Sequence, residues 1–74
     1  MLVVNTTDIG RPYNVIGLVY NKNRHNTGVD AINEMIESAT ALNADAIVNV
    51  RILHSTHSVI SHYYHAYGTA VKFN

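Results

Sequence analysis

The sequence contains no cysteine and little charge, and each shortage excludes something. Without cysteine the chain can form neither disulfides nor thiolate metal sites. Charged residues make up 14% of the chain, well below about a quarter in an average domain, whereas the apolar fraction of 47% is ordinary. A chain that is short of charge but not of apolar groups has difficulty covering itself with polar surface. This composition favours a buried interface with another molecule.

Runs of one kind of residue are also missing. Five basic residues balance five acidic ones, and no basic run of the kind that follows a phosphate backbone is present. We therefore expect no nucleic-acid partner. The first ten residues, "MLVVNTTDIG", do not resemble a signal peptide, and no segment approaches the roughly 20 apolar residues of a membrane span. We expect no membrane partner and a cytoplasmic location.

The length of the chain sets a further limit. Residues 1–74 are predicted to form one small domain, and a domain of this size buries only about 60% of the surface that its unfolded chain exposes. Small domains usually need disulfides, a metal or a partner to become comfortably stable. Since disulfides are excluded, oligomerisation and histidine-based metal binding remain as sources of stability.

Residue patterns predict four strands and one helix. The strands are expected at 2–5, 13–21, 44–53 and 59–73, and the helix at 28–42. Apolar residues at helical spacing form a stripe: Val29, Ile32, Ile36, Ala39 and Leu42. Thr27 and Asp30 fit a capping box, and Asn43 suits the left-handed position that closes a helix. Gly17 interrupts its strand, which predicts a bulge or a close backbone approach.

This order of elements predicts an α+β, two-layer β-β-α-β-β domain. The strands on either side of the helix should be parallel, and the last strand can lie between them, antiparallel to both. Strict alternation would place an apolar set on one face of the strand at 44–53: Ala46, Val48, Val50 and Ile52. One helix covers only one face of the sheet, so we expect a second copy to cover apolar residues on the other. The alternative is a monomer with scattered apolar residues on its surface.

Four of the five histidines lie within residues 54–65, and three of them suggest a metal site. If the hairpin pairs about residue 58, His54 and His62 face each other with Cβ atoms roughly 5 Å apart, and His57 in the turn provides a third ligand. Imidazole ligands suit a divalent metal ion such as zinc, nickel or copper. The alternative is that histidines at an exposed hairpin end are simply solvated. His65 falls on the opposite face, and His25 is expected to be exposed in its loop.

Other functions have weaker support. Four hydroxyl residues lie close to the histidines in sequence, namely Ser55, Thr56, Ser58 and Ser61, but nearness in sequence is not triad geometry, and no nucleophile elbow is present. An enzyme would need a site at a subunit interface. Tyr63, Tyr67 and Arg51 could form a stacking platform for single-stranded nucleic acid, but Tyr64 points the other way. Five histidines per chain also allow an assembly that depends on pH.

Three segments resemble a known family. "TTDIGRPYNVIGLV" (6–19), "ATALNADAIVNVR" (39–51) and "AYGTAV" (66–71) are similar to the YbjQ-like family, which is labelled as heavy-metal-binding. The resemblance implies a dodecin-like domain with one helix on its sheet, assembled through sheets and edge strands into a ring, commonly a pentamer. This chain departs from the family in its short 21–28 stretch, in Asn43 where the family has glycine, and in the histidines of 54–65.

We therefore expect a non-enzymatic homo-oligomeric binding module. Its specific activity would be binding of a divalent metal by His54, His57 and His62. The alternative is a purely structural oligomer that binds no metal.

Overall fold

One sheet and one helix make up the fold of the described residues. The computed structural model describes residues 1–56 and 62–74, and at Thr56 and His62 the backbone alone. The elements are β1 (Leu2–Val3), β2 (Tyr13–Tyr20), α1 (Gly28–Ala41), β3 (Ala46–Thr56) and β4 (His62–Phe73). The sheet order is β1-β3-β4-β2, with β1 parallel to β3 and β4 antiparallel to both of its neighbours. The predicted α+β class and element order are confirmed, as is the central place of the last strand.

Both ends of α1 are closed as the sequence predicts. The Thr27 side chain accepts a hydrogen bond from the Asp30 backbone N–H at 3.2 Å, which satisfies one of the free amides of the first turn. At the other end Asn43 has a φ of 60°, and the N–H of Ala44 reaches back to the Ala39 carbonyl at 3.1 Å. This is the left-handed closure expected there. Within the described residues no helix is long and apolar enough to cross a membrane.

The face of α1 that packs on the sheet differs from the predicted stripe. Ala31, Met35 and Ala39 are fully buried, and Ile32 and Ile36 lie beside them. Val29 is instead 68% exposed and Leu42 48% exposed, so the predicted stripe was wrong at its two ends. The small side chains of Ala31 and Ala39 let the helix lie close to the sheet. A prediction based mainly on large apolar residues gives too little weight to alanine.

A bulge in β3 changes which residues face the helix. Val48 pairs with Thr69 and Arg51 with Tyr67, so two residues, Asn49 and Val50, lie opposite one. Asn49 has a φ of 54°, a left-handed conformation that asparagine tolerates better than most residues. Strict alternation from 46 to 52 was therefore wrong. Before the bulge Ile47 faces α1, while Ala46 and Val48 belong to a separate buried cluster on the other face.

Gly68 lies opposite this bulge. A Cβ built there would be 2.7 Å from Ile47 Cγ2, closer than real Cβ contacts come, and 3.2 Å from Val50 Cγ2, which is tighter than most such contacts. The bulge fills the space that a side chain at 68 would occupy, so this position requires glycine. A second irregularity occurs in β2, where the register shifts between Val15 and Gly17, which confirms the bulge predicted at Gly17. Gly17 and Gly68 lie on neighbouring strands, as expected.

The two faces of the sheet are covered unequally. We call the side against α1 the helix face and the other side the outer face. At one end of the outer face, Ala46, Val48 and Val71 are buried beneath surrounding apolar residues: Val4, Ile9, Tyr13 and Phe73. By register, the rest of the outer face carries Val15 and Leu18, both 65% exposed, together with Leu53 and Tyr20. Within residues 1–56 and 62–74, no other part of the chain covers these side chains, and each is at least half exposed.

Candidate functional site

Two histidines flank one tyrosine in a row across the sheet. Tyr64 in β4 pairs with His54 of β3 on one side. On its other side the Tyr64 N–H donates to the backbone carbonyl of His25 at 3.0 Å, in an isolated bridge beyond the end of β2. The loop before α1 and the end of β3 thus meet at Tyr64, close to the histidine-rich segment.

The His54 ring is positioned by Tyr64. The two rings are stacked, with centroids 4.6 Å apart and planes 13° from parallel. Tyr64 packs against the core on the helix face, and its Cδ1 lies 3.8 Å from where a Cβ on Gly28, the first residue of α1, would be. His54 is exposed to solvent, yet a ring with a fixed, half-buried partner has fewer orientations than a freely solvated one.

The predicted pairing of His54 with His62 was wrong. β3 continues through Thr56, beyond the predicted polar turn at 54–58, and Thr56 is the residue paired with His62. The Ile47–Ala70 core pair sets the register before the bulge, and the bulge at Asn49 then shifts it by one residue, which leads to the Thr56–His62 pair. Position 62 still shares the helix face with His54, as its diagonal neighbour. Diagonal neighbours lie about 7–8 Å apart, within reach of long side chains.

The predicted metal ligands are only partly described. His54 has a defined ring position, His62 has a register position, and His57 lies outside the described residues. Residues 1–56 and 62–74 contain no group of three or more His, Cys, Asp or Glu side chains placed to hold a metal ion. The diagonal placement of 54 and 62 suits a shared ion. A complete ligand set would need His57 or a group from another copy.

His25 is not simply exposed, which corrects the prediction. Its Nε2 contacts Oε2 of Glu34 on α1, and the two side chains are 23% and 15% exposed. Glu34 also accepts hydrogen bonds from the backbone N–H of Lys22 at 3.1 Å and from Nδ2 of Asn23 at 2.8 Å. Glu34 therefore holds the loop at 22–25 against the helix.

The environment of Glu34 favours its ionised form. The hydrogen bond from His25 lowers the pKa of the Glu34 carboxyl below its ordinary value of 4.5. Burial opposes this shift, while the N–H groups of Asn23 and Lys22 and the charge of His25 add to it. The sequence held one signal for this contact, a carboxylate on the helix nine residues after a histidine in the preceding loop. Only the folded loop shows that the two meet.

A buried asparagine joins the same loop to β4. Asn21 is 6% exposed, and its Oδ1 accepts a hydrogen bond from the Ala66 N–H at 2.7 Å. Its Nδ2 donates to the carbonyl of Asn23 at 2.8 Å and to that of Tyr64 at 3.3 Å. Both polar ends of the side chain are satisfied, as a buried amide requires. These hydrogen bonds fix the loop to β4 at Tyr64 and Ala66.

The described hydroxyl and aromatic residues separate by face. Ser55 pairs with Tyr63, so it lies on the outer face, away from His54. These two residues form no nucleophile–base pair. Tyr63 and Tyr67 share the outer face, while Tyr64 is on the helix face, as predicted from strand alternation. His65 pairs with Leu53 on the outer face, which confirms its predicted side.

Two open clefts border these elements. One, of about 310 Å³, lies beside α1 and includes His25, Glu34 and Glu37 in its lining. The other, of about 870 Å³, lies along the β1–β3 edge, where Arg51 Nη1 donates to the carbonyls of Asn5 at 2.8 Å and Val50 at 2.9 Å. In the second cleft the guanidinium secures the N-terminal segment beside the bulge.

Comparison with known proteins places this domain in a family. A family profile described as "Putative heavy-metal-binding" matches residues 13–74. The chain belongs to the YbjQ-like family. A crystal structure of a protein of unknown function from Pediococcus pentosaceus, assigned to the DUF74 family, is similar with a TM-score of 0.79 and 16% identity. The match covers 100% of this chain and 98% of that one, and it supports the fold. The comparison with curated proteins found no match.

Family membership agrees with the resemblance carried by the three sequence segments. The profile begins at Tyr13, so it covers β2, α1, β3 and β4 and leaves out β1. The family description names a class of ligand, heavy metals, and no reaction. It names neither ligand residues nor an assembly.

Proposed function

We propose that this YbjQ-like chain is a non-enzymatic binding module that forms a homo-oligomeric ring, a pentamer, and binds a divalent metal ion through His54, His57 and His62. One observation carries the metal proposal. His54 and position 62 share the helix face as diagonal neighbours at the hairpin end, and Tyr64 orients the His54 ring. The family description points to the same class of ligand.

The chemistry of the three residues suits the proposed ion. Neutral imidazole binds zinc, nickel and copper, with bond lengths of about 2.0–2.1 Å for zinc. In a ring, each copy would supply the same histidines. A metal site that has too few ligands from one chain could then be completed by a histidine of a neighbouring copy. The stack on Tyr64 would reduce the entropy lost when the His54 ring becomes a ligand.

Two further observations support the assembled, non-enzymatic part of the proposal. The outer face leaves Val15, Leu18 and Leu53 more than half exposed, which is unusual for one side of so small a sheet. A second copy would remove them from water. Of the hydroxyl residues predicted near histidines, Ser55 lies on the face opposite His54, so that pair does not support hydrolytic chemistry.

Titration calorimetry and light scattering test the proposal. Untagged protein would be weighed, analysed for metal and titrated with zinc and nickel. We expect an oligomeric mass and micromolar or tighter binding that is lost in His54→Ala combined with His62→Ala. His65→Ala is the matched control, because His65 lies on the outer face, and it should bind like the unchanged protein. Millimolar binding, or binding unaffected by the paired change, would reject the metal site.

A purely structural oligomer is the second candidate. It is favoured by the exposed apolar side chains of the outer face, which call for a second copy whether or not a metal binds. It predicts an oligomeric mass with no metal retained and no heat of binding. A monomeric mass at micromolar concentration would contradict both candidates.

A further inference from the structure

Most charged side chains in the described part of the chain have no partner of opposite sign. Among the described residues two contacts join a basic to an acidic group: Lys72 Nζ with Asp45 at 3.6 Å, and His25 with Glu34. All three arginines have no acidic partner within the described part of the chain. Asp30 and Glu37 likewise have no basic partner there. A neutral chain thus carries unpaired charges of both signs.

The arginines border the outer face. The Arg24 guanidinium lies 4.7 Å from the centre of the Tyr63 ring, and that of Arg11 lies 4.0 Å from the centre of Phe73. Arg51 pairs in register with Tyr67. Tyr63, Tyr67 and Phe73 all occupy outer-face positions of β4. A guanidinium stacked on a ring keeps N–H groups that can bind a carboxylate.

The unpaired acids lie on the side of α1 that faces away from the sheet. Ala31, Met35 and Ala39 mark the buried side. At 100° per residue, Asp30 and Glu37 fall on the opposite side, and both are exposed. Val29, 68% exposed, lies on this side as well. The solvent side of α1 is therefore acidic with an apolar contact point, while the outer face is apolar with a basic border.

We propose that the outer face of one copy packs against the solvent side of α1 in the next copy, with Arg24 and Arg51 facing Asp30 and Glu37. Arg24 lies over Tyr63 and Arg51 pairs with Tyr67, and these two tyrosines are four residues, or about 13 Å, apart along β4. Asp30 and Glu37 are seven residues or about 10 Å apart along the helix. The two charge pairs thus have similar spacing. This inference rests on the assembly proposed above and adds its docking surfaces.

Two other arrangements fit the surface less well. Packing two outer faces together around a two-fold axis would gather the arginines of both copies in one layer and leave the acids outside. Pairing through the free edge of β2 would have to pass the bulge at Ile16, and bulges are a device that protects edges from pairing. A head-to-tail contact of two different surfaces neutralises both charges and closes into a ring when its rotation permits.

Charge reversal in the full chain tests this docking. One double variant, Arg24→Glu with Arg51→Glu, makes the outer face acidic. The other, Asp30→Lys with Glu37→Lys, makes the helix surface basic. We expect each alone to fall to the mass of one chain, 8.2 kDa, while circular dichroism shows a folded protein. The chain that carries all four changes should assemble again, because its two surfaces are complementary once more.

Mixing the two double variants gives the most specific result. Each would then meet a complementary surface only on the other, so the mixture should form assemblies that contain both variants, whereas each variant alone stays monomeric. If the helix variant keeps the unchanged mass while Leu18→Ser becomes monomeric, the outer face is an interface, but its partner surface is not α1, and this docking is overturned. If the unchanged chain is itself monomeric, both the assembly and the docking fall. Arg24→Glu and Glu37→Lys as single changes provide the same comparison with less risk to folding.

Discussion

The two faces of the sheet differ in how much of their apolar surface the chain itself buries. On the helix face, α1 covers a compact layer built from small residues around Met35 and Ile47, and each of these two is fully buried. On the outer face the N-terminal segment covers only one end, and Val15, Leu18 and Leu53 remain more than half exposed. One face is therefore closed within the chain, while the other leaves large apolar side chains exposed. Four substitutions test this difference between the two faces.

The largest loss of stability should come from removing a buried side chain on the helix face. Met35→Ala removes a fully buried side chain between α1 and the sheet, and such truncations destabilise by about 2–5 kcal/mol. The free energy of unfolding from urea denaturation measures the loss. Leu42→Ala is the matched control at the end of the same helix, because Leu42 is 48% exposed. Equal losses in the two variants would mean that α1 does not pack as described.

Adding one carbon atom opposite the bulge should have the next largest effect. Gly68→Ala would place Cβ 2.7 Å from Ile47 Cγ2, and such overpacking costs about 1–3 kcal/mol. Gly17→Ala serves as the control, since the nearest atom there, Leu42 Cδ1, is 4.0 Å away. Thermal melting compares them. A Gly68→Ala protein as stable as the Gly17→Ala protein would contradict the tight contact between β4 and the bulge.

Glu34 should show a smaller effect that depends on pH. The pKa of Glu34 is lower in the folded chain than its ordinary value of 4.5. The ionised carboxylate therefore stabilises the fold at pH values above 4.5, and this contribution is lost as the pH falls through the lower pKa of the folded state. Glu34→Gln should therefore be less stable than the unchanged protein near neutral pH. The difference should shrink toward zero in acid.

Denaturation at several pH values measures this difference, and Glu37→Gln is the control on the same helix. A stability difference for Glu34→Gln that stays constant from neutral pH into acid would show that the His25 contact does not favour the ionised form.

The smallest effect on folding is expected on the open face. Leu18→Ser replaces a side chain that is 65% exposed, so the free energy of unfolding of the separated chain should change by less than about 0.5 kcal/mol. The mass of the assembly should fall instead. The comparison between the two faces is confirmed if Met35→Ala lowers stability and Leu18→Ser lowers mass. A Leu18→Ser protein with unchanged mass and lower stability would reverse the roles of the faces.

Local patterns predicted the elements well because short-range physics determines them. Thr27, Asp30 and Asn43 mark the helix ends through bonds to their own neighbours along the chain. Gly17 marked its bulge for a similar reason. The order of the strands followed from the connection between β2 and β3. These features need no knowledge of what lies across the molecule.

The site was harder to predict because it depends on register and on distant contacts. Asn49 looks like an ordinary strand residue, yet the bulge at its left-handed backbone shifts the register by one residue. If the Ile47–Ala70 register continued without the bulge, His54 would lie opposite Tyr63; with the bulge it lies opposite Tyr64. His25 looked solvated because Glu34 reaches it only after the loop has folded onto α1. His57 lies outside the described residues, so its predicted role as a ligand remains a prediction.

The bulge in β3 has a consequence for how such a chain can change. Because two residues oppose one at Asn49, deleting a single residue there would turn over every position from 51 to 56 relative to the helix, while Ala46 to Val48 would stay as they are. His54 would then exchange sides with Arg51 and Leu53. One residue in β3 therefore determines whether His54 or Leu53 lies on the α1 side of the hairpin.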